Sequence, residues 1–170
     1  MPDPVSQHRA AAATRLGCAV LTVSDTRTEA TDRGGPLVAE LLTAAGHAVL
    51  DKAIIPDDPT VMREKLAALA ARDDVDAVLL TGGTGISPRD QTFETLSELI
   101  TRPLPGYGEL FRMLSFEEVG AAAMLSRAVA GLIGQTIVFS MPGSPAAVRL
   151  AMEKLILPEL GHLASQARGV

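Results

Sequence analysis

A glycine-rich loop is the part of this sequence whose residue types and spacing point most directly to chemistry. The loop follows the apolar run 75–80 and consists of Thr81, Gly82, Gly83, Thr84 and Gly85. Beyond the carboxyl end of a parallel strand, glycines let backbone N–H groups approach an anion closely, which favours a phosphate cradle. The same glycines could instead form only a tight turn. The loop has neither the Lys-Ser/Thr ending of a P-loop nor the G-x-G-x-x-G pattern of dinucleotide folds, which argues against a nicotinamide-dependent oxidoreductase.

Polar residues also follow two other predicted strands. Ser24 and Asp25 come directly after the apolar run Gly17–Val23. The segment Pro142, Gly143 and Ser144 follows the last predicted strand and leads into a helix, whose first N–H groups and positive dipole end would face a bound anion. Both serines could also act as N-caps, and Asp25 could simply form a turn; capping is compatible with ligand contact. We therefore expect three loops to converge on one site.

Alternating strands and helices must position these loops. Short apolar runs predict strands at Gly17–Val23 and 75–80, a strand pattern up to Pro56 predicts another at Ala48–Ile55, and helical spacing predicts helices at 37–45 and 61–69. Gly46 would end the first of these helices. Alternation of this kind predicts right-handed crossovers and a mainly parallel sheet covered on both faces by helices, a three-layer α/β/α sandwich.

The second half of the chain predicts a change in strand direction. Helices are expected at 92–100 and 105–116, and strands at 127–133 and Thr136–Met141. Gly134-Gln135 would join these strands in a hairpin-like turn, so one strand would run antiparallel. A final helix would begin at Ser144, and Pro158 would bend or break it. Residues 1–15 are predicted to be a flexible N-terminal segment and residues 16–170 to form one domain.

The composition excludes several classes of protein. The 170 residues include 20 acidic and 15 basic side chains, which argues against nucleic acid or an anionic membrane as a partner. Cys18 is the single cysteine, so the chain can form neither an internal disulfide nor a cysteine-built metal site. The apolar run 18–23 is too short for a signal sequence or a membrane span. We expect a cytoplasmic protein.

Four separated motifs resemble the MoaB/MogA family of molybdenum cofactor biosynthesis proteins. They are TGGTGISPRD at 81–90, PGYGELFRMLSFEEVG at 105–120, AMLSRA at 123–128 and MPGSP at 141–145. They occur in the family's order, and the resemblance extends from about residue 17 to residue 163, closest to the MoaB branch. It implies a molybdopterin-binding domain with a three-layer α/β fold, a trimer or hexamer, and a reaction in which molybdopterin and Mg-ATP give adenylylated molybdopterin and pyrophosphate. MoeA-type and CinA-like proteins share the fold, so fold alone does not establish this activity.

Two aspartates match the functional aspartates of the family. Asp57 ends the second predicted strand and Asp90 follows the glycine-rich loop. The attacking phosphate is already an anion, so we expect both to organise Mg²⁺ and phosphates rather than to abstract a proton. Without the resemblance, helix capping would be the favoured explanation for both.

The resemblance also implies ligand contacts farther along the chain. Arg127 would offset phosphate charge beside Ser126, and Arg89 is a weaker candidate for the same role. Glu109 and Ser115 would meet the polar edge of the pterin, although Glu109 could instead be an exposed acid in the first turn of a helix.

Apolar residues of the same region have a different expected role. Phe111, Met113, Leu114 and Phe116 are expected in packing or at a subunit interface.

A non-catalytic protein that binds or carries molybdopterin or its adenylylated form is the alternative function. In either case the resemblance implies hand-over to a molybdenum-inserting MoeA-type protein.

Overall fold

The computed structural model describes residues 15–169, which build a single six-stranded sheet in the order β2-β1-β3-β6-β5-β4. The strands are β1 (Gly17–Val23), β2 (Ala48–Ile55), β3 (Ala77–Thr81), β4 (Arg102–Pro103), β5 (Ala130–Ile133) and β6 (Thr136–Met141). β2, β1, β3 and β6 run parallel, whereas β5 is antiparallel to both of its neighbours. The predicted mainly parallel sheet with one antiparallel strand is confirmed, and Ile133 pairs with Thr136 across the predicted turn.

Helices cover both faces of this sheet. They are α1 (Gly34–Ala44), α2 (Pro59–Ala70), α3 (Thr92–Leu99), α4 (Pro105–Val119), a 3₁₀ helix (Gly120–Leu125), α5 (Pro145–Ala151), a π-helical segment (Met152–Ile156) and α6 (Leu157–Arg168). Gly46, with φ +90°, follows α1 as predicted. Pro158 does not end the last helix. In a regular α-helix its ring would clash with the carbonyl four residues earlier, which is that of Lys154. Lys154 lies in the π-helical segment, and the wider turn there makes room for the ring.

Two apolar cores lie on opposite faces of the sheet. Along β1, Cys18 and Val20 belong to the core under α1, α4, α5 and α6, whereas Ala19 and Leu21 belong to the core under α2 and α3. Because successive side chains of a strand point to opposite faces, a strand buried on both sides must be apolar throughout. This is the physical reason why continuous apolar runs identified β1, β3 and β6, and it produces the three-layer sandwich.

Some predicted boundaries differ from the structure. β5 begins at Ala130 rather than at residue 127. The backbone N–H of Arg127 donates to the Thr84 carbonyl in the glycine-rich loop, and the N–H of Val129 donates to the side-chain hydroxyl of Ser140 rather than to the main chain of β6. The two-residue strand β4 and the 3₁₀ helix were not predicted, because their sequences show no periodic spacing of apolar residues. Of the predicted flexible segment, residues 1–14 lie outside the described residues.

The strand order reverses between β1 and β3. From β1 the chain moves outward to β2, whereas β3 is followed on its other side by β6. The carboxyl ends of these strands are level, since Val23 pairs with Ile55 and Thr81 pairs with both Thr22 and Met141. Open α/β sheets bind ligands in the crevice at such a switch point.

Candidate functional site

A polar pocket of about 420 Å³ opens beyond the ends of β1, β3 and β6. We call it the switch-point pocket, and its lining is Thr22, Val23, Ser24, Arg27, Asp32, Arg33, Thr81, Gly82, Gly143, Ser144 and Pro145. The three loops expected to converge therefore do meet here. Each contributes residues from the predicted set: Ser24, Thr81 with Gly82, and Gly143 with Ser144.

A second, acidic pocket of about 290 Å³ adjoins the first and shares Val23 and Ser24 with it. Its other lining residues are Asp25, Thr26, Asp57, Gly83, Ser87, Arg89 and Asp90. Among the described lining residues, the acidic pocket thus has three carboxylates and a single arginine, whereas the switch-point pocket has two arginines and one carboxylate. The site is divided into two halves of opposite charge.

Two glycines of the loop let the backbone lie against the aspartates. Gly83 has φ +63°, and a Cβ there would lie 2.1 Å from the Thr92 hydroxyl and 2.7 Å from Asp57 Oδ2. A Cβ on Gly85 would lie 2.7 Å from Asp90 Oδ2. A larger residue at either position would press on one of the two carboxylates, so both glycines are required by close approach, and Gly83 is required by its positive φ as well.

Neither aspartate caps a helix. Asp58 caps α2, accepting hydrogen bonds from the N–H groups of Thr60 (2.8 Å) and Val61 (3.1 Å). Asp57 instead accepts one from Gln91 N–H at 2.9 Å, and Asp90 accepts one from Ser87 N–H at 3.1 Å. Capping is therefore the wrong explanation for either residue, and both carboxylates line the acidic pocket.

The acidic pocket perturbs the ionisation of Asp57 and Asp25 in opposite directions. Burial raises the pKa of Asp57 above its ordinary value, and the carboxylates of Asp90 and Asp25 raise it further. The hydrogen bond from Arg89 Nη2 (2.8 Å) lowers the pKa of Asp25, whose other oxygen accepts Asp57 N–H at 3.0 Å. The charged form of Asp57 is thus disfavoured in the free protein, and a cation in this pocket would favour it.

Magnesium would need ligands from outside the protein as well. Among the described residues no three His, Cys, Asp or Glu side chains are grouped so that they could hold a metal ion. Asp57 and Asp90 have the hard oxygen ligands that Mg²⁺ prefers, and Mg²⁺ is commonly held by one or two carboxylates with substrate phosphates and water. The pair fits an ion of this kind that arrives with a phosphorylated ligand.

The two serines that could act as caps have different local roles. Ser24 Oγ accepts the N–H groups of Thr26 (3.2 Å) and Arg27 (3.0 Å), which closes a turn after β1 rather than capping a helix. Ser144 does cap α5, since its Oγ accepts Ala147 N–H at 3.3 Å. Both remain in contact with the switch-point pocket.

Three charged residues of the switch-point pocket were missed from the sequence. Asp32 is buried and accepts hydrogen bonds from the Thr22 hydroxyl (2.6 Å) and from the first two N–H groups of α1, at Gly34 (3.1 Å) and Gly35 (3.2 Å). An acid just before a predicted helix was a signal that could have found it. Arg27 and Arg33 had no such signal, because only the folded loop brings their charges to the pocket.

A buried hydroxyl without a partner lies in the same pocket. Thr81 is fully buried, and its Oγ1 has no hydrogen-bond partner among the described residues; the same holds for Thr95 and Ser126. Of the three, only Thr81 lines the switch-point pocket. An unsatisfied buried hydroxyl costs free energy, so its retention beside a pocket is typical of a ligand contact.

The remaining predicted residues do not line either pocket. Thr84 and Gly85 lie in the loop and accept hydrogen bonds from Arg127, whose side chain is directed into the protein. Ser126 and Pro142 are half-buried, Ser115 is buried on α4, and Glu109 is exposed on the same helix. Their ligand contacts stay predictions.

Comparison with known proteins identifies the family. Residues 19–162 match the family described as a probable molybdopterin binding domain. The chain belongs to the MoaB/MogA family. It is 52% identical over 160 residues to the molybdenum cofactor biosynthesis protein B of Bacillus anthracis, covering 94% of this chain and 95% of that protein. The predicted family resemblance is confirmed.

Solved structures of the MoaB/MogA family share the fold. The crystal structure of a molybdenum cofactor biosynthesis protein B superposes with a TM-score of 0.88 at 51% identity, covering 92% of this chain and 98% of that one. The tungsten cofactor synthesizing protein MoaB of Pyrococcus furiosus gives a TM-score of 0.82 at 41% identity, covering 92% and 99%. Over residues 15–169, no helix is long and apolar enough to cross a membrane.

Proposed function

We propose that the protein acts in molybdenum cofactor biosynthesis as a molybdopterin adenylyltransferase. In this reaction the phosphate of molybdopterin attacks the α-phosphate of ATP, adenylyl-molybdopterin forms, and pyrophosphate leaves. The observation that carries the proposal is the pair of adjoining pockets, one with arginines and hydroxyls and one with carboxylates, which meet at Ser24. A transfer between two phosphorylated substrates needs two such sites side by side.

The switch-point pocket suits the phosphorylated pterin. Its volume of about 420 Å³ falls within the usual range for small-molecule sites. The hydroxyls of Thr81 and Ser24 can donate to and accept from a pterin edge, and Arg27 and Arg33 can offset the charge of its phosphate. Because Val23 and Ser24 line both pockets, a phosphate bound beside them would be directed towards the acidic pocket.

The acidic pocket suits the triphosphate of Mg-ATP. Bound Mg²⁺ would neutralise charge on the triphosphate, and Asp57 and Asp90 are the residues that would hold it. Arg89 pairs with Asp25 in the free protein and is the one cation that lines this pocket among residues 15–169, so we assign it to the leaving pyrophosphate. No general base is required, because the nucleophile is already an anion.

We also propose a homo-oligomer, a trimer or hexamer, built through α4 and the 3₁₀ helix. Phe111 and Leu114 pack into the core, but Met113 is 55% exposed and Phe116 is 62% exposed. Further exposed apolar side chains on the same two helices are Leu110, Val119, Met124 and Leu125. A cluster of this kind is typical of an interaction surface. Family membership further supports a cytoplasmic location and hand-over of the product to a MoeA-type protein.

The decisive experiment is turnover by the purified protein with molybdopterin, ATP and Mg²⁺. Pyrophosphate release and adenylylated product would be measured for the wild type and for Asp90→Asn. We expect Asp90→Asn to abolish turnover while molybdopterin binding is largely retained. Asp58→Asn is the matched control, because it makes the same change next to the site in a residue that only caps α2, and asparagine also caps helices well.

One result would contradict the adenylyltransferase assignment, and another would contradict the role given to Asp90. Tight molybdopterin binding by the wild type without any ATP-dependent product would favour the carrier function instead. Strongly weakened binding with residual activity in Asp90→Asn would show that Asp90 holds the pterin rather than the metal and phosphates.

A further inference from the structure

Arg127 contacts main-chain carbonyls and α3, and it lines neither the switch-point pocket nor the acidic pocket. Its Nε donates a hydrogen bond to the carbonyl of Gly85 at 2.8 Å, and its Nη2 donates one to the carbonyl of Asp90 at 2.9 Å. Its backbone N–H also donates to the carbonyl of Thr84 at 2.9 Å. One residue therefore contacts both ends of the segment 84–90.

The rest of the guanidinium is anchored to α3. Nη1 forms an ion pair with Glu94, and the guanidinium lies over the ring of Phe93, 5.3 Å from the ring centroid. The side chain is 24% exposed. A planar guanidinium with donors on fixed sides can make these contacts at once, whereas the single ammonium of lysine cannot span two carbonyls and a carboxylate in this geometry.

The segment that Arg127 holds carries one wall of the acidic pocket. Ser87, Arg89 and Asp90 all belong to it and line that pocket. The Asp90 carboxylate accepts Ser87 N–H from within the same segment and lies against Gly85. Fixing the backbone at Gly85 and Asp90 therefore fixes the direction of this carboxylate.

We propose that Arg127 is a positioning residue that acts through the main chain of segment 84–90 to hold the Asp90 carboxylate in place, and that it does not bind the phosphate of the substrate. The catalytic consequence rests on the proposed adenylyltransferase function. The structural consequence, a segment that opens when the two carbonyl bonds are lost, does not.

The experiment compares Arg127→Lys with Glu94→Gln in the full-length protein. Arg127→Lys keeps the positive charge but loses the carbonyl bonds, whereas Glu94→Gln removes the ion pair and leaves those bonds. Hydrogen–deuterium exchange of peptides covering 84–91 reports on the segment without any substrate. Steady-state kinetics and the Kd for molybdopterin report on its role in the reaction.

For Arg127→Lys we expect exchange in 84–91 to be at least tenfold faster and kcat to fall about tenfold to a hundredfold, the usual effect of a misplaced catalytic group. The Kd for molybdopterin should change by less than about threefold, because substrate contacts are unchanged. Glu94→Gln should resemble the wild type in all three measurements.

Three results would overturn the proposal. If peptides covering 84–91 exchange in Arg127→Lys at the wild-type rate, the structure of the segment does not depend on the guanidinium. A loss of molybdopterin affinity as large as the loss of kcat would make Arg127 a ligand contact, as the family resemblance implied. An equal loss in Glu94→Gln would assign the effect to the ion pair. If the wild type itself shows no turnover, the proposed function fails while the exchange measurement still decides whether Arg127 holds the segment.

Discussion

Replacing Thr81 with valine tests whether the switch-point pocket binds its ligand through a buried hydroxyl. Valine has nearly the shape of threonine, so the change removes a polar atom without opening a cavity. Thr81 is fully buried, and its hydroxyl has no partner among the described residues. Thr95 on α3 has the same two properties but does not line the pocket, which makes Thr95→Val the matched control.

The two variants should have the same effect on stability. A buried polar group that lacks a hydrogen bond costs about 1–3 kcal/mol of folding free energy. Removing the hydroxyl should therefore make each variant more stable than the wild type by about 1 kcal/mol or more. For a chain of this length, 1 kcal/mol corresponds to a rise in melting temperature of about 2–4 °C. Differential scanning calorimetry without ligand would measure the shift.

The two variants should differ in ligand binding. A hydrogen bond between the Thr81 hydroxyl and molybdopterin would contribute about 0.5–1.5 kcal/mol. Its loss would raise the Kd of Thr81→Val by about twofold to tenfold. Thr95→Val should bind molybdopterin as the wild type does. Fluorescence titration of the pterin would measure all three dissociation constants.

Wild-type affinity in Thr81→Val would refute the reasoning, because it would show that the Thr81 hydroxyl makes no contact with the ligand. Equal loss of affinity in both would show an indirect effect of core substitution. Destabilisation of either variant would show that its hydroxyl has a partner in solution.

Three further predictions concern charge, assembly and the thiol. Burial raises the pKa of Asp57 above its value in the unfolded chain, so its ionised form lowers the free energy of unfolding at neutral pH. This loss of stability disappears as the pH falls through the raised pKa towards the ordinary one. Asp57→Asn should therefore melt at a higher temperature than the wild type at pH 7, lose that advantage in acid, and lose turnover; a lower melting temperature at pH 7 would contradict this. Phe116→Glu should reduce the mass measured by light scattering, and a monomeric wild type would refute the proposed oligomer. Burial raises the pKa of Cys18 to about 12, so a thiol reagent at pH 8 should modify it only after unfolding.

Features with a local signature were predictable from the sequence. β1, β2 and β6 begin and end at the predicted residues, because their strand patterns are bounded sharply by polar or turn residues. The glycine-rich loop and Asp90 are only a few residues apart, so their contact follows from a short loop. The family motifs are also local runs of residues, and they were sufficient to identify the MoaB/MogA family.

Features that depend on distant partners were not predictable. Asp25 meets both Asp57 N–H and Arg89 only because β1 lies between β2 and β3. The guanidinium of Arg127 bonds to the carbonyls of Gly85 and Asp90, about forty residues earlier in the chain, and no local pattern indicated these contacts. A charged side chain has no preferred partner in the sequence, since its partner is whichever group the fold brings close.

The sequence by itself determined the order of the elements, the mainly parallel sheet and the family. The local spacing of apolar residues indicates which residues are buried in strands and helices, and short motifs identify the family. Only the tertiary structure decided that the site consists of two adjoining pockets, that Asp58 rather than Asp57 caps α2, and that Asp32, Arg27 and Arg33 belong to the site. These facts depend on the level ends of four neighbouring strands, and strand order is a long-range property of the folded chain.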